Sequence, residues 1–167
     1  AENVVRHTNK PVMIITPLAV SQQTAREAAK FGIEAKVSRD GKYDSKIVIT
    51  NYERLHYFDS SEFIGAVCDE ASAIKAFDGR RRKEVTRFLS KMPYRLLATA
   101  TPSPNDFIEL GTESECLGVM TQSDMLGVFF KECKNMRHTV FKEGDFWNHP
   151  KYTFEPHSAE PFLKWVV

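Results

Sequence analysis

The sequence has no run of apolar residues close to the roughly 20 that a helix needs to cross a membrane. It also begins, at Ala1 to Asn3, without the basic and then apolar residues of a secretion leader. Its three cysteines, Cys68, Cys116 and Cys133, form no Cys-x-x-Cys pair and no Cys/His pattern, which argues against a disulfide framework and a zinc site. We therefore expect a soluble protein of a reducing, cytoplasmic compartment, without membrane contact.

A strong excess of charge of one sign is also missing. The 23 Lys and Arg residues face 22 Asp and Glu residues, and the net charge is +1. The chain as a whole therefore has no attraction for a polyanion, and any site for nucleic acid must be local. At 167 residues and 42% hydrophobic, the chain can bury one core of ordinary size but not comfortably two. We expect one domain.

Short apolar runs alternate with stretches of helical composition, which is the rhythm of a βαβ protein. Runs rich in Ile and Val, such as PVMIIT and KIVIT, are typical of strands that are covered on both faces in a parallel sheet. The predicted strands are residues 11–16, 33–37, 46–50, 63–68 and 94–98. The predicted helices between them are residues 18–31, where Gly32 stands at the position of a glycine that stops a helix, and 79–91.

The pattern changes beyond residue 104. Helical pieces are predicted around 107–110 and 123–133, an irregular aromatic stretch at 141–154, and the opening of another helix at 161–167. Aromatic residues can stack on bases, but no basic stripe is interleaved with these, so a core position is the more typical role. These aromatic residues are Trp147, Tyr152 and Trp165.

Polar or proline-bearing segments follow four of the five predicted strands. They are Thr16-Pro17, Thr50-Asn51, Asp69-Glu70 and Thr99-Ala100-Thr101. In open parallel sheets, ligands bind outside the carboxyl ends of the strands. The sequence therefore predicts a functional site along that edge of the sheet.

Asp69 and Glu70 are the sharpest feature of this edge. The first carboxylate can hold the hydrated Mg²⁺ that bridges nucleotide phosphates, and the second can orient or deprotonate an attacking water. A solvated loop is the more common role of such a pair taken alone. Thr99 and Thr101 add two hydroxyls that would suit a relay between a nucleotide and a bound polymer, although a simple turn is the alternative.

Two other strand ends offer contacts to a sugar-phosphate backbone. Thr16-Pro17 and Thr50-Asn51 supply hydroxyl, amide and backbone N–H groups, although each could equally be a loop entry or a helix cap. The basic run at residues 80–83 (RRRK) either touches a DNA backbone or forms a solvated helix face.

The order of these segments resembles a known family. Residues 11–20 (PVMIITPLAV), 47–55 (IVITNYERL), 67–76 (VCDEASAIKA) and 95–105 (RLLATATPSPN) look like motifs Ia, Ib, II and III of Swi/Snf-like and DEAD/DEAH-type helicases of superfamily 2. The tail that begins FIELGT is similar to the segment that comes after motif III in phage and prophage members. The resemblance covers nearly the whole chain.

The resemblance implies a RecA-like P-loop NTPase fold, α/β in three layers with a mostly parallel sheet. Residues 1–167 would be part of the first RecA-like domain, with a helical and irregular extension from about residue 105. Asp69 would coordinate Mg²⁺, Glu70 would be the catalytic base, and Thr99 and Thr101 would couple hydrolysis to movement. The residues along the DNA strand would be Thr16, Pro17, Leu18, Thr50 and Asn51. Ser72 departs from the family, because many relatives carry His at that position of motif II.

A second departure is larger: the sequence contains no GxxxxGK[ST] loop to cradle a triphosphate. In the family that loop precedes the helix leading to motif Ia, and Ala1 to His7 read as the end of that helix. We therefore expect the phosphate loop and its strand to lie upstream of residue 1, and the second RecA-like domain downstream. The intact protein would use ATP and Mg²⁺ on DNA, with duplex as the expected form, in a bacterial or phage-infected cell.

The missing loop and strand have two further consequences. The chain alone should be inactive and hold no cofactor, and the absence of the strand should leave a sheet edge open to self-association. The alternative is a natural, non-catalytic module from a split phage gene, which binds DNA or completes a partner.

Overall fold

The structure is a computed structural model that describes residues 1–76, 79–101, 107–142, 145–155 and 157–166, with side chains except at 75–76, 133–142 and 145–151. Its central element is a sheet of five parallel strands in the order β2-β3-β1-β4-β5. The strands are β1 (Val12–Thr16), β2 (Ala35–Val37), β3 (Ile47–Asn51), β4 (Gly65–Asp69) and β5 (Tyr94–Ala98). The predicted α/β class is confirmed, and each predicted strand lies within two residues of its observed ends.

One helix precedes the first strand, and others lie between β1 and β2 and between β4 and β5. They are α1 (Glu2–Thr8), α2 (Ser21–Lys30), α3 (Ala73–Ala76) and α4 (Gly79–Ser90), and the two 3₁₀ segments Tyr52–Tyr57 and Ser60–Glu62 lie between β3 and β4. α2 begins three residues later than predicted, because a turn closed by the Val20 N–H on the Pro17 carbonyl precedes it. Gly32 has φ +69° just beyond its end, as predicted for a glycine that stops a helix.

The main hydrophobic core lies between one face of the sheet and α4. Met13, Ile15 and Val48 point from the strands into this core, and Phe88 and Leu89 of α4 cover them. Each such side chain stabilises the fold by about 1.5–3 kcal/mol when it leaves water. Because α4 carries its apolar residues at helical spacing, this packing also fixes which side of α4 faces outward.

The C-terminal part agrees with the prediction in its last helix and differs from it before that helix. It contains α5 (Leu110–Leu117), α6 (Gln122–Phe129), an antiparallel pair of β6 (Phe130–Lys142) and β7 (Asp145–Phe154), and α7 (Ala159–Val166). The helix predicted at 123–133 therefore ends at Phe129, and the stretch predicted to be irregular at 141–154 is mostly strand. No helix in the described ranges is both long and apolar enough to span a bilayer.

A second hydrophobic cluster explains these two errors. Phe130 and Phe154 are register partners across β6 and β7, and their rings stack at 4.6 Å. Both rings also contact Phe162 of α7, which is fully buried. These contacts are between residues distant in sequence, so local composition did not reveal them. Tyr152 and Trp165 pack against the cluster, which confirms their predicted core role, whereas the side chain of Trp147 lies outside the described residues.

Both outer strands of the sheet, β2 and β5, have a single partner in the described part of the chain. β5 pairs there with β4 alone, and its Tyr94 and Leu96 side chains are 49% and 56% exposed. An exposed apolar edge strand is a template for pairing with another chain. Self-association stays a prediction, and β5 is the strand at which we expect it.

We expect the chain to form dimers through β5, with Leu96 buried at the new contact. Light scattering over a range of protein concentrations should show the dimer, and Leu96→Lys should shift it toward monomer because a charge on an edge strand disfavours pairing. Leu117→Lys, at an apolar position that is 38% exposed on α5, is the control. A monomer at every concentration contradicts the prediction.

Candidate nucleotide and nucleic-acid site

The predicted site residues lie along one edge of the parallel sheet. Thr16 is paired in register with Asn51, and Asp69 with Ala98, so that the carboxyl ends of β3, β1, β4 and β5 are consecutive along this edge. At about 4.8 Å between strands, they span about 14 Å. Polar groups from distant parts of the sequence thus lie close together along one edge of the sheet.

The backbone at Asp69 and Glu70 is shaped to present both carboxylates. Oδ1 of Asp69 accepts a hydrogen bond from the Glu70 N–H at 3.1 Å, and Glu70 itself has φ +50°. A left-handed conformation is unusual for a residue other than glycine and is costly to maintain. It turns the chain sharply after β4, and the Ala71 N–H then donates to the Ala98 carbonyl at 2.9 Å.

The Glu70 carboxylate links the Asp69-Glu70 segment to the segment of Thr99 and Thr101, with which it was predicted to cooperate. The Ser72 hydroxyl donates to its Oε1, and the Thr99 hydroxyl donates to the same oxygen at 3.4 Å. Thr101 joins the group through its backbone N–H, which donates to Thr99 Oγ1 at 3.2 Å. The structure therefore brings Glu70, Thr99 and Thr101 together and adds Ser72, while residues 102–106 of the same segment lie outside the described ranges.

Tyr52 supports Asp69 from behind and was not predicted. It is 4% exposed, and its hydroxyl donates to the Asp69 carbonyl at 2.9 Å. Burial raises the pKa of Tyr52 far above its ordinary value, so the hydroxyl stays a donor. Because Tyr52 directly follows Asn51, its hydrogen bond to Asp69 links the end of β3 to the end of β4. Burial likewise raises the pKa of the neighbouring Cys68 thiol to about 12, which keeps it neutral.

The β1 and β3 ends contain buried polar groups in close contact. The Thr16 hydroxyl lies 2.9 Å from Ser21 Oγ and 3.1 Å from the Pro17 carbonyl, so it organises the edge from inside. Leu18, by contrast, is 66% exposed beside it. Ser21 opens α2 without a side-chain cap, which leaves the first N–H groups of that helix directed at this edge.

Thr50 and Asn51 carry the most informative atoms of the edge. Thr50 Oγ1 and Asn51 Oδ1 are buried and have no hydrogen-bond partner among the residues described. Leaving a buried polar atom unpaired costs about 1–3 kcal/mol, so each such atom needs an explanation. Ser38 Oγ, directly after β2, is a further buried atom of this kind, so unpaired polar atoms lie at the ends of two neighbouring strands.

The residues present fit Mg²⁺ but not a complete nucleotide site. In the described part of the chain, no three His, Cys, Asp or Glu residues cluster closely enough to hold a metal by themselves. Mg²⁺ does not need such a cage, because it binds one or two carboxylates and completes its shell with water and phosphate oxygens. Asp69 meets that requirement, whereas the sequence contains no GxxxxGK[ST] loop to hold the triphosphate.

This sheet order, with a carboxylate pair after β4 and a threonine pair after β5, defines a RecA-like α/β domain. Among solved structures, the chain is similar to a SWI2/SNF2 ATPase core of Sulfolobus solfataricus in complex with double-stranded DNA, with a TM-score of 0.62 and 25% sequence identity over 76% of this chain. The chain spans 30% of the length of that protein. No family model and no curated protein matches the sequence.

Proposed function

We propose that this chain is part of an ATP-dependent DNA translocase or helicase and contributes half of its hydrolytic site together with a track for DNA. The observation that carries the proposal is the contact of Glu70 with Thr99 on the same strand-end edge that contains the unpaired Thr50 and Asn51 atoms. The similarity to a SWI2/SNF2 ATPase core supports the same function.

On the hydrolytic side, each residue has a separate role. Asp69 would hold Mg²⁺, which supplies positive charge to phosphate oxygens when bound. Glu70 would accept the proton of an attacking water at its carboxylate, and the Ser72 and Thr99 hydroxyls would hold that carboxylate in place. Because the chain has no phosphate loop sequence, ATP binding requires residues that it does not itself supply.

On the nucleic-acid side, the β1 and β3 ends would contact the phosphate backbone of duplex DNA. The uncapped start of α2 offers N–H groups to a phosphate, and Thr50 and Asn51 add unpaired polar atoms beside it. The similar Sulfolobus solfataricus structure is a complex with double-stranded DNA, which supports duplex as the ligand. Pro17 and Leu18 would line the same track.

Thr50→Val tests this proposal because it removes the unpaired hydroxyl and keeps a β-branched side chain. We expect the variant to be about 1 kcal/mol more stable and to bind duplex DNA about 10-fold more weakly, since a hydrogen bond to a charged phosphate is lost. Fluorescence anisotropy with a labelled duplex measures the affinity, and urea unfolding measures the stability.

Ser45→Ala is the matched control. Ser45 is also a buried hydroxyl, but it lies before β3, near the opposite edge of the sheet, and it donates to the Ile47 carbonyl at 2.6 Å. Its replacement should cost about 1 kcal/mol of stability and leave DNA binding unchanged. Equal DNA affinity of Thr50→Val and the unaltered chain would remove Thr50 from the track.

A further inference from the structure

Helix α4 concentrates positive charge in a chain whose charges otherwise balance. It carries Arg80, Arg81, Arg82, Lys83 and Arg87 against the acid Glu84. Four exposed cations are spaced by three or four residues and so lie on one side of the helix: Arg80, Lys83, Arg87 and, just after its end, Lys91. We call these four residues the basic stripe.

The packing of α4 turns the basic stripe toward solvent. Val85, Phe88 and Leu89 are buried against the sheet, and the four cations point away from that side. None of the four forms an ion pair with another described residue. Glu84 of the same helix and Asp59, which interacts electrostatically with Lys91, offset part of this charge without forming an ion pair, whereas Lys30, Lys36 and Lys164 are paired with acids.

The surface beside the basic stripe is not flat but contains shallow clefts. One of about 520 Å³ is lined by Gly79, Arg80, Lys83, Glu84 and Arg87. A second of about 180 Å³ continues past Arg87 to Lys91 and includes His56. The two clefts share Glu84 and Arg87 in their linings, so the cations and one acid border neighbouring recesses in which anionic groups can lie.

The direction of α4 connects the stripe to the strand-end edge. β4 ends at that edge with Asp69, and β5 begins at the opposite edge with Tyr94, so α4 runs from the first edge to the second. Arg80 is therefore near the site and Lys91 is far from it. The 11 steps along the chain from Arg80 to Lys91 cover about 16 Å, which is about five base pairs of duplex at 3.4 Å each.

We propose that the basic stripe binds the phosphate backbone of a second segment of duplex DNA, continuous with the segment at the strand ends. The inference rests on the proposed function and extends its DNA site onto a surface outside the strand-end track. Guanidinium groups favour this occupant, because Arg80 and Arg87 can each hold a phosphate with two parallel hydrogen bonds.

The test compares two variants of equal charge. The stripe variant replaces Arg80, Lys83, Arg87 and Lys91 with Gln, and the control variant replaces Arg26, Lys30, Lys36 and Lys46 with Gln. Affinities for duplexes of 10 and 25 base pairs are measured by anisotropy at several salt concentrations, and circular dichroism verifies that both variants are folded. Because the stripe residues are exposed and form no ion pair with the rest of the described chain, their replacement should not unfold it.

We expect the stripe variant to lower the slope of log affinity against log salt by about 3–4 on the long duplex, at about 0.9 per lost phosphate contact. The control variant should keep most of the slope on both duplexes. A stripe variant with the slope of the unaltered chain, or equal losses in both variants, overturns the proposal. So does competition by polyglutamate as strong as that by duplex of equal charge, which would assign the stripe to an acidic protein.

The same experiment separates this inference from the proposed function. If the unaltered chain binds duplex and the stripe variant binds it equally well, only the stripe proposal fails. If the unaltered chain binds no duplex, both proposals fail together.

Discussion

Glu70→Gln is expected to lower DNA-stimulated ATP hydrolysis about 10²–10⁴-fold, the range for loss of a general base. The assay uses a protein of the kind that the proposed function implies, in which this chain is joined to a phosphate-binding loop and a second motor domain. Glutamine keeps the shape of the side chain and can still accept from Ser72 and Thr99, but it cannot take a proton from water. ATP binding and duplex binding should therefore be retained.

Two comparisons make this prediction specific. Glu115→Gln, at an exposed position of α5, should leave hydrolysis unchanged. The unextended chain should show no micromolar binding of Mg-ATP in a calorimetric titration, because its 167 residues contain no GxxxxGK[ST] loop. Micromolar binding by the short chain, or a Glu70→Gln enzyme of normal rate, would contradict the assignment of the hydrolytic site.

Phe162→Ala is expected to cost about 3–5 kcal/mol of stability, the usual range for truncating a buried phenylalanine. Phe162 is fully buried and contacts the rings of Phe107, Phe129, Phe130, Phe154 and Trp165 at centroid distances of 5.1–5.7 Å. Its removal leaves a cavity that these rings cannot all move to fill. Urea unfolding followed by tryptophan fluorescence measures the loss, because Trp165 is itself in contact with Phe162.

The adjacent residue of α7 provides the control. Leu163 is 54% exposed, so Leu163→Ala should change the stability by no more than about 0.5 kcal/mol. Similar losses in the two variants would mean that Phe162 does not hold α7 against the β6–β7 pair.

Local sequence was sufficient where local physics decides the structure. The β5 strand was predicted with its observed ends, and α4 to within one residue, because a short apolar run and a helical apolar spacing each favour one conformation. Gly32 was recognised as a helix stop because its position needs a positive φ. The location of Asp69 and Glu70 at a strand end was predictable because they directly follow a short apolar run.

Local sequence was insufficient where distant residues decide. The stretch from Phe130 to Phe154 contains both helix-forming and β-forming residues, and the pairing of Phe130 with Phe154 selects the strand. Tyr52 was missed for a similar reason, since only the fold places its hydroxyl on the Asp69 carbonyl, 17 positions away in sequence. The one sequence signal for a role of Tyr52 was its position next to Asn51, a predicted site residue.

The sequence by itself determined the class of fold and the order of the polar strand ends, since both depend on short-range patterns of apolar and polar residues. Only the tertiary structure decided what those ends do together: that Glu70 adopts a left-handed backbone and accepts from Ser72 and Thr99, and that Thr50 and Asn51 keep atoms without partners among the described residues. The physical reason is that hydrogen bonding and burial depend on neighbours in space, and parallel pairing of the strands is what makes residues far apart in the chain into neighbours.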